Sequence, residues 1–579
     1  MPNMSSFRSY GKVDEADLHA RLEARRRTRR RIAIVSLSSI VLVAVIVAAV
    51  VGITRNTDSD RVEAENNGRG RVISTAIKAV CDVTMYKDTC YDSLSKGASN
   101  SSQIQPEELF KLAIKVASNE LSKASDKFFS DHNGTSDDNN NNNNIMFLDA
   151  LGNCRELLSM AWDSLDSSLS SGKSVSDAVN DLKTMLSSAG TYQETCIDGL
   201  EEAKPGFRAR VLEYLRNSTE MTSNALAILT GISKVESSLK LRRLLGEPPH
   251  EWLRPEDRKL LQSPAENWKK NANAVVGKDR FAKYKTINDA LRAVPDKSKK
   301  KFIIYVKKGV YVENVRIEKP KWNVVMIGDG MNETIVSGHR NFIDGTPTFS
   351  TATFAVFGQG FVARDMGFRN TAGPSKHQAV ALMSTADHSV FHRCQFDAYQ
   401  DTLYAHSNRQ FYSECNIYGT VDFIFGNSAA VLQNCKILPR RPMPGQKNTI
   451  TAQGKKDPNE NTGIAIQNCT ILPFGDLSGV ETYLGRPWKN YSTTIIMQSM
   501  MGSFIHPSGW LPWVGNSAPN TIFYSEFENY GAGSSMKKRV KWKGLRGISY
   551  KEAGKFTVRA FLQGDRWISD AGVAYKPGL

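Results

Sequence analysis

The chain has 579 residues, 40% of them hydrophobic, and a formal net charge of +16. The length excludes a single ordinary domain. The charge calls for an anionic partner: nucleic acid, a membrane surface or an acidic polysaccharide.

The N-terminus narrows that choice. Arg25, Arg26, Arg27, Arg29, Arg30 and Arg31 close a basic tail (1–31) and precede the uncharged 22-residue run Ile32–Ile53. A run of that length matches the roughly 20 residues needed to cross a bilayer. The arginines stay cytosolic under the positive-inside rule. The run exceeds the core of a cleaved signal peptide, which favours a transmembrane signal anchor over 32–53. Either reading sends the rest of the chain into the secretory pathway and argues against nucleic acid. Asn100, Asn133, Asn217, Asn332, Asn468 and Asn490, all beyond the apolar run, each begin an Asn-x-Ser/Thr sequon and are candidate glycosylation sites. The same route permits disulfides among the eight cysteines.

Residues 71–235 read as helical. Leu151, Cys154, Leu158, Ala161, Leu165 and Leu169 recur at three- and four-residue steps. Ala178, Leu182, Met185 and Ala189 do likewise, as do Leu212, Leu215, Ala225, Leu226, Leu229 and Ile232. Such stripes are core, and several in series predict a helical bundle. The asparagine tract 139–144 reads as a loop between helices. Of the four cysteines here, the close pair suggests Cys81–Cys90 and the distant pair Cys154–Cys196, although four cysteines allow three pairings. This layout resembles the pectin methylesterase inhibitor domain, a disulfide-bonded four-helix bundle.

Residues 236–263 form a basic linker holding Arg242-Arg243-Leu-Leu and Arg258-Lys259-Leu-Leu. Two dibasic pairs with the same sequel, in an exposed proline-containing stretch, point to a processing protease.

From 264 to 579 short β-rich runs such as Phe302–Val306 and Asn323–Ile327 alternate with Gly, Asn and Asp turns. Arg393-Cys394-Gln-Phe, Glu414-Cys415-Asn-Ile, Asn434-Cys435-Lys-Ile and Asn468-Cys469-Thr-Ile form an internal repeat, the first three copies 21 and 20 residues apart. Short strands at that period predict a solenoid of parallel strands, a β-helix. Asp401 and Asp422 each lie seven residues after their cysteine, Cys394 and Cys415. In register they stand on adjacent coils, with backbones about 4.8 Å apart. Two carboxyls so close cannot both ionise easily, which leaves one proton donor beside one anion. Aspartates that merely cap turns are the alternative.

The flanking residues decide between these. Gln378-Ala-Val-Ala-Leu382, Tyr399-Gln400-Asp401-Thr-Leu-Tyr404, Gly419-Thr-Val-Asp422-Phe-Ile-Phe-Gly-Asn427 and Leu484-Gly-Arg486-Pro-Trp488 occur in that order. Together they resemble the signature motifs of plant pectin methylesterases, over roughly 264–579. With the inhibitor-like region in front, the whole chain resembles that family's pro-enzyme. The resemblance implies a right-handed parallel β-helix and hydrolysis of methyl esters in pectin. Asp422 would be the nucleophile and Asp401 the acid and then the base. Gln400 and Gln378 would donate to the oxyanion, Arg486 would hold Asp422 ionised, Trp488 would offer a sugar-binding face and Thr348 would touch substrate. No metal or cofactor is implied. It also implies that Cys415 and Cys435 pair, leaving Cys394 and Cys469 as buried thiols. Its partners would be methyl-esterified pectin, a processing protease and separate inhibitor proteins; its place would be the cell wall, with a membrane-anchored precursor. Met383, Ala398 and Ser428 depart from the family's usual Arg, Gly and Ala, and none removes a catalytic group.

Pectin-cleaving hydrolases and lyases also use β-helices. The Asn-Thr-Asp and Asp-Asp pairs of this chain fall at 56–58 and 137–138, outside the β-rich half, Gly-His-Gly does not occur, and no calcium-binding acidic cluster is evident.

Overall fold

The computed structural model describes residues 75–97, 106–132, 142–170, 175–243 and 265–579. The basic tail, the apolar run 32–53, Asn100, Asn133, Arg258 and Lys259 lie outside them. Among the described residues no helix is long and apolar enough to cross a membrane.

The first half is helical. A short helical segment (75–81) and α1 (Lys87–Gly97) are joined by the Cys81–Cys90 disulfide. Four long helices follow: α2 (Pro106–His132), α3 (Asn142–Leu169), α4 (Val175–Ala203) and α5 (Arg208–Arg243). Cys154–Cys196 ties α3 to α4, as the spacing suggested. Leu158 and Leu165 of α3, Leu182 and Ala189 of α4 and Leu215 and Leu229 of α5 are buried in one core. Each leucine contributes about 1.5–3 kcal/mol by leaving water. Two boundaries differ from the sequence reading. Helix α3 starts inside the asparagine tract, and α5 runs into the expected linker as far as Arg242 and Arg243. No Gly or Pro interrupts the chain between Ile232 and Gly246, so nothing stops the helix earlier.

The second half stacks coils into three parallel sheets of ten, seven and eight strands. Strand Leu382–Ser384 pairs in register with Leu403–Ala405, which pairs with Ile424–Gly426; Asn448–Gln453 and Thr482–Gly485 continue the seven-stranded sheet. Each turn of the chain supplies one strand to each sheet, the arrangement of a parallel β-helix. Asp365, Arg393, Glu414, Asn434, Asn468, Gln498 and Glu528 occupy one corner, each left-handed with φ between 50° and 59°. The residue after each turns inward, and this sets the period seen in the sequence.

At that corner the structure corrects one expectation. Cys394, Cys415, Cys435 and Cys469 are all buried free thiols, so Cys415 and Cys435 do not pair. Side chains stacked in register stay about 4.8 Å apart, beyond the roughly 3.5–4.5 Å between Cβ atoms that a disulfide needs. The sulfurs instead receive backbone N–H groups of the coil before. Cys415 N–H donates to Cys435 Sγ (3.4 Å) and Cys435 N–H to Cys469 Sγ (3.3 Å). Cys469 N–H then donates to Ser499 Oγ (3.0 Å) and Ser499 N–H to Asn529 Oδ1 (2.9 Å).

The C-terminal segment departs from the short-strand texture. Helices Tyr550–Ala553 and Val558–Leu562, with Trp567 and Ile568, cover the outer face of the ten-stranded sheet at Val325, Val390, Phe411 and Val431. On the opposite side, the seven-stranded sheet faces the helical half. Phe349, Met383, Tyr404 and Phe425 belong to the same apolar cluster as the bundle core, with half-buried Trp488 packed against it.

Candidate active site

Asp401 and Asp422 precede two neighbouring strands of the seven-stranded sheet at the same offset. Leu403 pairs with Ile424, and Asp401 N–H donates to Val421 O (3.0 Å). The register expected from the cysteine offsets is therefore present. Both aspartates are left-handed (φ 61° and 51°), a conformation that costs a non-glycine residue energy and clusters at functional sites. Both are nearly buried, at 7% and 5% exposure.

Their surroundings differ. Asp422 receives Arg486 through two edges, Nε to Oδ1 at 2.8 Å and Nη2 to Oδ2 at 2.6 Å. Thr449 Oγ1–H adds a third donor at 2.6 Å and accepts Asp422 N–H at 2.8 Å. Asp401 has no ion pair among the described residues. Burial, and then the neighbouring Asp422 and Glu202 charges, push its carboxyl well above the usual carboxylate range, with Arg486 opposing. One carboxylate and one carboxylic acid thus stand side by side.

The glutamines lie on the same flank. Gln378 and Gln400 form a parallel bridge, and Ala379 N–H donates to Gln400 O (3.3 Å). Arg486 lies over the Trp513 ring at 4.3 Å. Trp488 sits at the rim against Phe425 and Trp513, with ring centres 6.2 and 6.4 Å away. Gly454 makes room for it, because a Cβ there would lie 2.8 Å from the indole. Tyr404 stacks on Phe425 at 4.1 Å and completes an aromatic floor. Met383, where the family usually has a charge, is buried in that floor.

Helix α4 covers this cleft with a polar stripe. Thr348 N–H (3.2 Å) and Oγ1–H both donate to the Glu202 carboxylate. Burial raises Glu202 to about 6, against the pull of those donors. Lys489 Nζ reaches Asp198 (2.7 Å) and Glu194 (2.8 Å), and Lys456 pairs with Glu194. Asn427 donates to Thr191 (2.9 Å) and His406 Nε2 meets Thr195 Oγ1 at 2.8 Å. The Thr195 hydroxyl hydrogen is already given to Thr191 O, so the ring nitrogen donates. Burial lowers His406 to about 3, which keeps it neutral. The gap left between α4, Tyr404 and Trp488 is about 20 Å³, room for little more than a water.

Asp401, Asp422, Gln378, Gln400, Arg486 and Trp488 therefore converge on one cleft, and Thr348 lies at its edge under Glu202. Asn217, Asn332, Asn468 and Asn490 are exposed, and Asn490 lies only two residues after Trp488. Sequence reasoning did not single out Thr449, Lys456, Lys489 or the α4 carboxylates. Glu194, Asp198 and Glu202 do recur at four-residue steps, a polar stripe opposite the apolar one and the signal that could have found them.

The pectinesterase family profile matches residues 273–565, and that of the plant invertase/pectin methylesterase inhibitor family matches 75–228. Pectinesterase/pectinesterase inhibitor 24 of Arabidopsis thaliana is 55% identical over 98% of this chain and 99% of its own. Pectinesterase 3 of Phaseolus vulgaris is 47% identical over the full length of both. The solved structure of carrot pectin methylesterase is 50% identical and covers 53% of this chain and 98% of its own, with a TM-score of 0.53.

Proposed function

The chain belongs to the pectinesterase family, a family of carboxylic ester hydrolases, and carries an inhibitor-like domain in front; we propose that it demethylates homogalacturonan through an acyl-enzyme on Asp422. The observation that carries this reading is the asymmetry of the aspartate pair. Arg486 and Thr449 keep Asp422 an anion, while burial and Asp422 keep Asp401 protonated.

Asp422 attacks the ester carbonyl carbon, and the developing oxyanion turns to the Gln400 and Gln378 amides. Asp401 gives its proton to the departing methoxide, which leaves as methanol. Asp401, now a carboxylate, takes a proton from water as that water attacks the acyl-enzyme carbonyl. Asp422 leaves as carboxylate, the sugar keeps a free carboxyl group, and the proton rests again on Asp401. Trp488 offers a ring face to a galacturonate unit and Thr348 a donor pair at the cleft edge.

The helical half covers the cleft, and its acidic stripe occupies the donors that a substrate would use. In this reading it is autoinhibitory until a protease cuts the linker at Arg242–Arg243 or Arg258–Lys259. The apolar run 32–53 holds the precursor in the secretory membrane, exposed sequons such as Asn332 and Asn490 carry glycans, and the processed enzyme works on cell-wall pectin. Separate inhibitor proteins would dock on the same cleft.

Methanol release from methyl-esterified homogalacturonan by the cut chain, without shortening of the polymer, tests the reaction. Chain cleavage, or unchanged methanol release by Asp422→Asn, would overturn it.

A further inference from the structure

The formal charge is unevenly spread along the chain. Residues 269–312, which span the first coil and part of the second, hold thirteen Lys and Arg against three Asp and no Glu, a net ten of the chain's +16. Strand Ala274–Val276 is the outermost of the ten-stranded sheet. The loop after it, 277–285, closes on itself: Val276 bridges Tyr284, and Gly277 N–H donates to Tyr284 O (3.0 Å). Lys307 N–H donates to Val276 O (2.9 Å), so the loop lies beside the turn that takes the next coil from the ten-stranded to the eight-stranded sheet. The seven-stranded sheet, with the cleft, is on the other side of the solenoid. Asp401 also lies four coils further on, about 20 Å along the axis at the ordinary strand spacing.

Lys278, Arg280, Lys283, Lys285 and Lys308 are exposed at this corner and form no ion pair among the described residues. Asp279 and Asp329 are already taken, by Lys307 (2.8 Å) and Lys269 (2.7 Å). Aromatic rings lie among the cations. Arg280 is 4.8 Å from the ring centre of Phe281, Lys283 is 5.2 Å from that of Tyr284 and Lys278 is 5.8 Å from that of Tyr311. Phe281 is 78% exposed. Lysines at an open sheet edge also deter edge-to-edge pairing, but an exposed phenylalanine among them works against that end. With a screening length of about 8 Å at physiological salt, neighbouring cations of one loop act on the same ligand. The surface fits a flexible polyanion whose units also present an apolar ring face, with the cations for its carboxylates and Phe281 for the ring. A galacturonate polymer has both.

We propose that loop 277–285, with Lys308, is an anchoring surface for de-esterified homogalacturonan, separate from the catalytic cleft. The inference rests on the pectinesterase reading, which supplies the polyanion: each turnover leaves one more carboxylate on the polymer. A stretch already demethylated is held at the first coil while esterified units further along the same polymer reach the cleft. The two surfaces lie on different sides of the solenoid, so an oligomer of a few sugars cannot occupy both. The anchor therefore acts on long polymer and not on short oligomers.

The test uses the β-helix half released from the full chain at a protease site placed between residues 244 and 263. The carrot enzyme, a chain matching this half alone, shows that such a unit folds by itself. Lys278→Gln, Arg280→Gln, Lys283→Gln and Lys285→Gln are combined in one variant. Its binding to immobilised polygalacturonate should weaken about tenfold at about 0.1 M salt, the product of four exposed contacts of about twofold each, and its Kd should rise less steeply with salt. Its kcat/KM on a methyl-esterified galacturonate trimer should stay within about twofold of wild type, while KM on half-esterified polymer rises about tenfold. The charge-keeping exchange Lys278→Arg, Arg280→Lys, Lys283→Arg and Lys285→Arg should retain binding. Phe281→Ala should weaken binding to polygalacturonate about threefold and leave binding to polyglutamate, a polyanion without sugar rings, unchanged. Wild-type polygalacturonate binding by the glutamine variant, or a trimer kcat/KM that falls in step with that on polymer, overturns the proposal. A Phe281→Ala effect that is equal on polygalacturonate and polyglutamate overturns the assignment to a polysaccharide. If the wild-type half releases no methanol from trimer or polymer, the pectinesterase reading fails instead, and the binding measurements still read the anchor.

Discussion

Arg486 grips Asp422 through two edges of its guanidinium, at 2.6 and 2.8 Å, while Asp401 on the adjacent coil has no ion pair among the described residues. A single arginine therefore breaks the symmetry of two carboxyl groups that the coil repeat would otherwise make equivalent. Removing it should restore competition for the proton. Arg486→Gln is expected to lower kcat by about 10²–10³-fold, as loss of a fixed charge beside a reacting group does, and to move the acid limb of the kcat profile to higher pH. An acid limb that stays in place would show that Arg486 does not set the charge of Asp422.

The raised pKa of Asp401 has a cost that stability measurements can read. The folded state holds its proton to higher pH than the unfolded chain, whose aspartates titrate near about 3.9. The contribution of Asp401 to stability is thus fullest below that value and declines as pH rises toward the folded pKa. Asp401→Asn, which carries no charge at any pH, should raise Tm at about pH 7 and lose that advantage near about pH 4, while methanol release falls by roughly 10²–10⁴-fold. A Tm difference that does not vary with pH would contradict this account.

The seating of α4 depends on charge. Asp198→Asn with Glu202→Gln removes two carboxylates from Lys489 and Thr348, and charged hydrogen bonds of this kind contribute about 1.5–3 kcal/mol each. The uncut double variant should show measurable esterase activity where the uncut wild type shows little. After cutting, its halves should separate on gel filtration under conditions that keep the wild-type halves together. Equal activity of the uncut wild type and double variant would argue against occlusion by this stripe.

Gly454 leaves Trp488 its place. Gly454→Ala puts a methyl 2.8 Å from the indole and must displace it. KM should rise about tenfold with kcat little changed, the pattern of lost uniform binding. A fall in kcat alone would assign Trp488 to the chemistry rather than to the sugar.

The cysteine assignment is open to direct titration. Unfolded without reductant, the protein should expose four reactive thiols, from Cys394, Cys415, Cys435 and Cys469, and folded it should expose none. Two thiols in the unfolded chain would restore the Cys415–Cys435 bridge.

Much of this site was legible because a solenoid repeats its corner. Cys394 and Cys415 mark equivalent points on successive coils, so equal offsets locate Asp401 and Asp422 together without any knowledge of their contacts. The helical stripes were legible for the same reason: Leu158 and Leu165 recur with the helix. The contacts between the halves have no such period across the chain. Thr348 and Glu202 are 146 residues apart, and Lys489 and Glu194 nearly 300. The false disulfide came from the family resemblance, which implied that Cys415 and Cys435 pair, whereas both are free in this structure. Stacked coils hold Cys415 and Cys435 near each other, yet with parallel Cα–Cβ directions that keep the sulfurs from bonding. The C-terminal helices escaped notice because Val558 and Leu562 bury too short a stripe to show periodicity.

Tyr404, Phe425, Met383 and Phe349 lie in the same apolar cluster as the leucines of the bundle. If the helical half departs, what was interior becomes a wall of the groove, with no change of residue. These positions must therefore satisfy two tenants in succession: a protein helix that fits once, and a polysaccharide that must slide past. A substitution that improves the fit for the first tenant tightens the lock on the zymogen, and one that favours the second loosens it, so latency and turnover are set by the same few side chains.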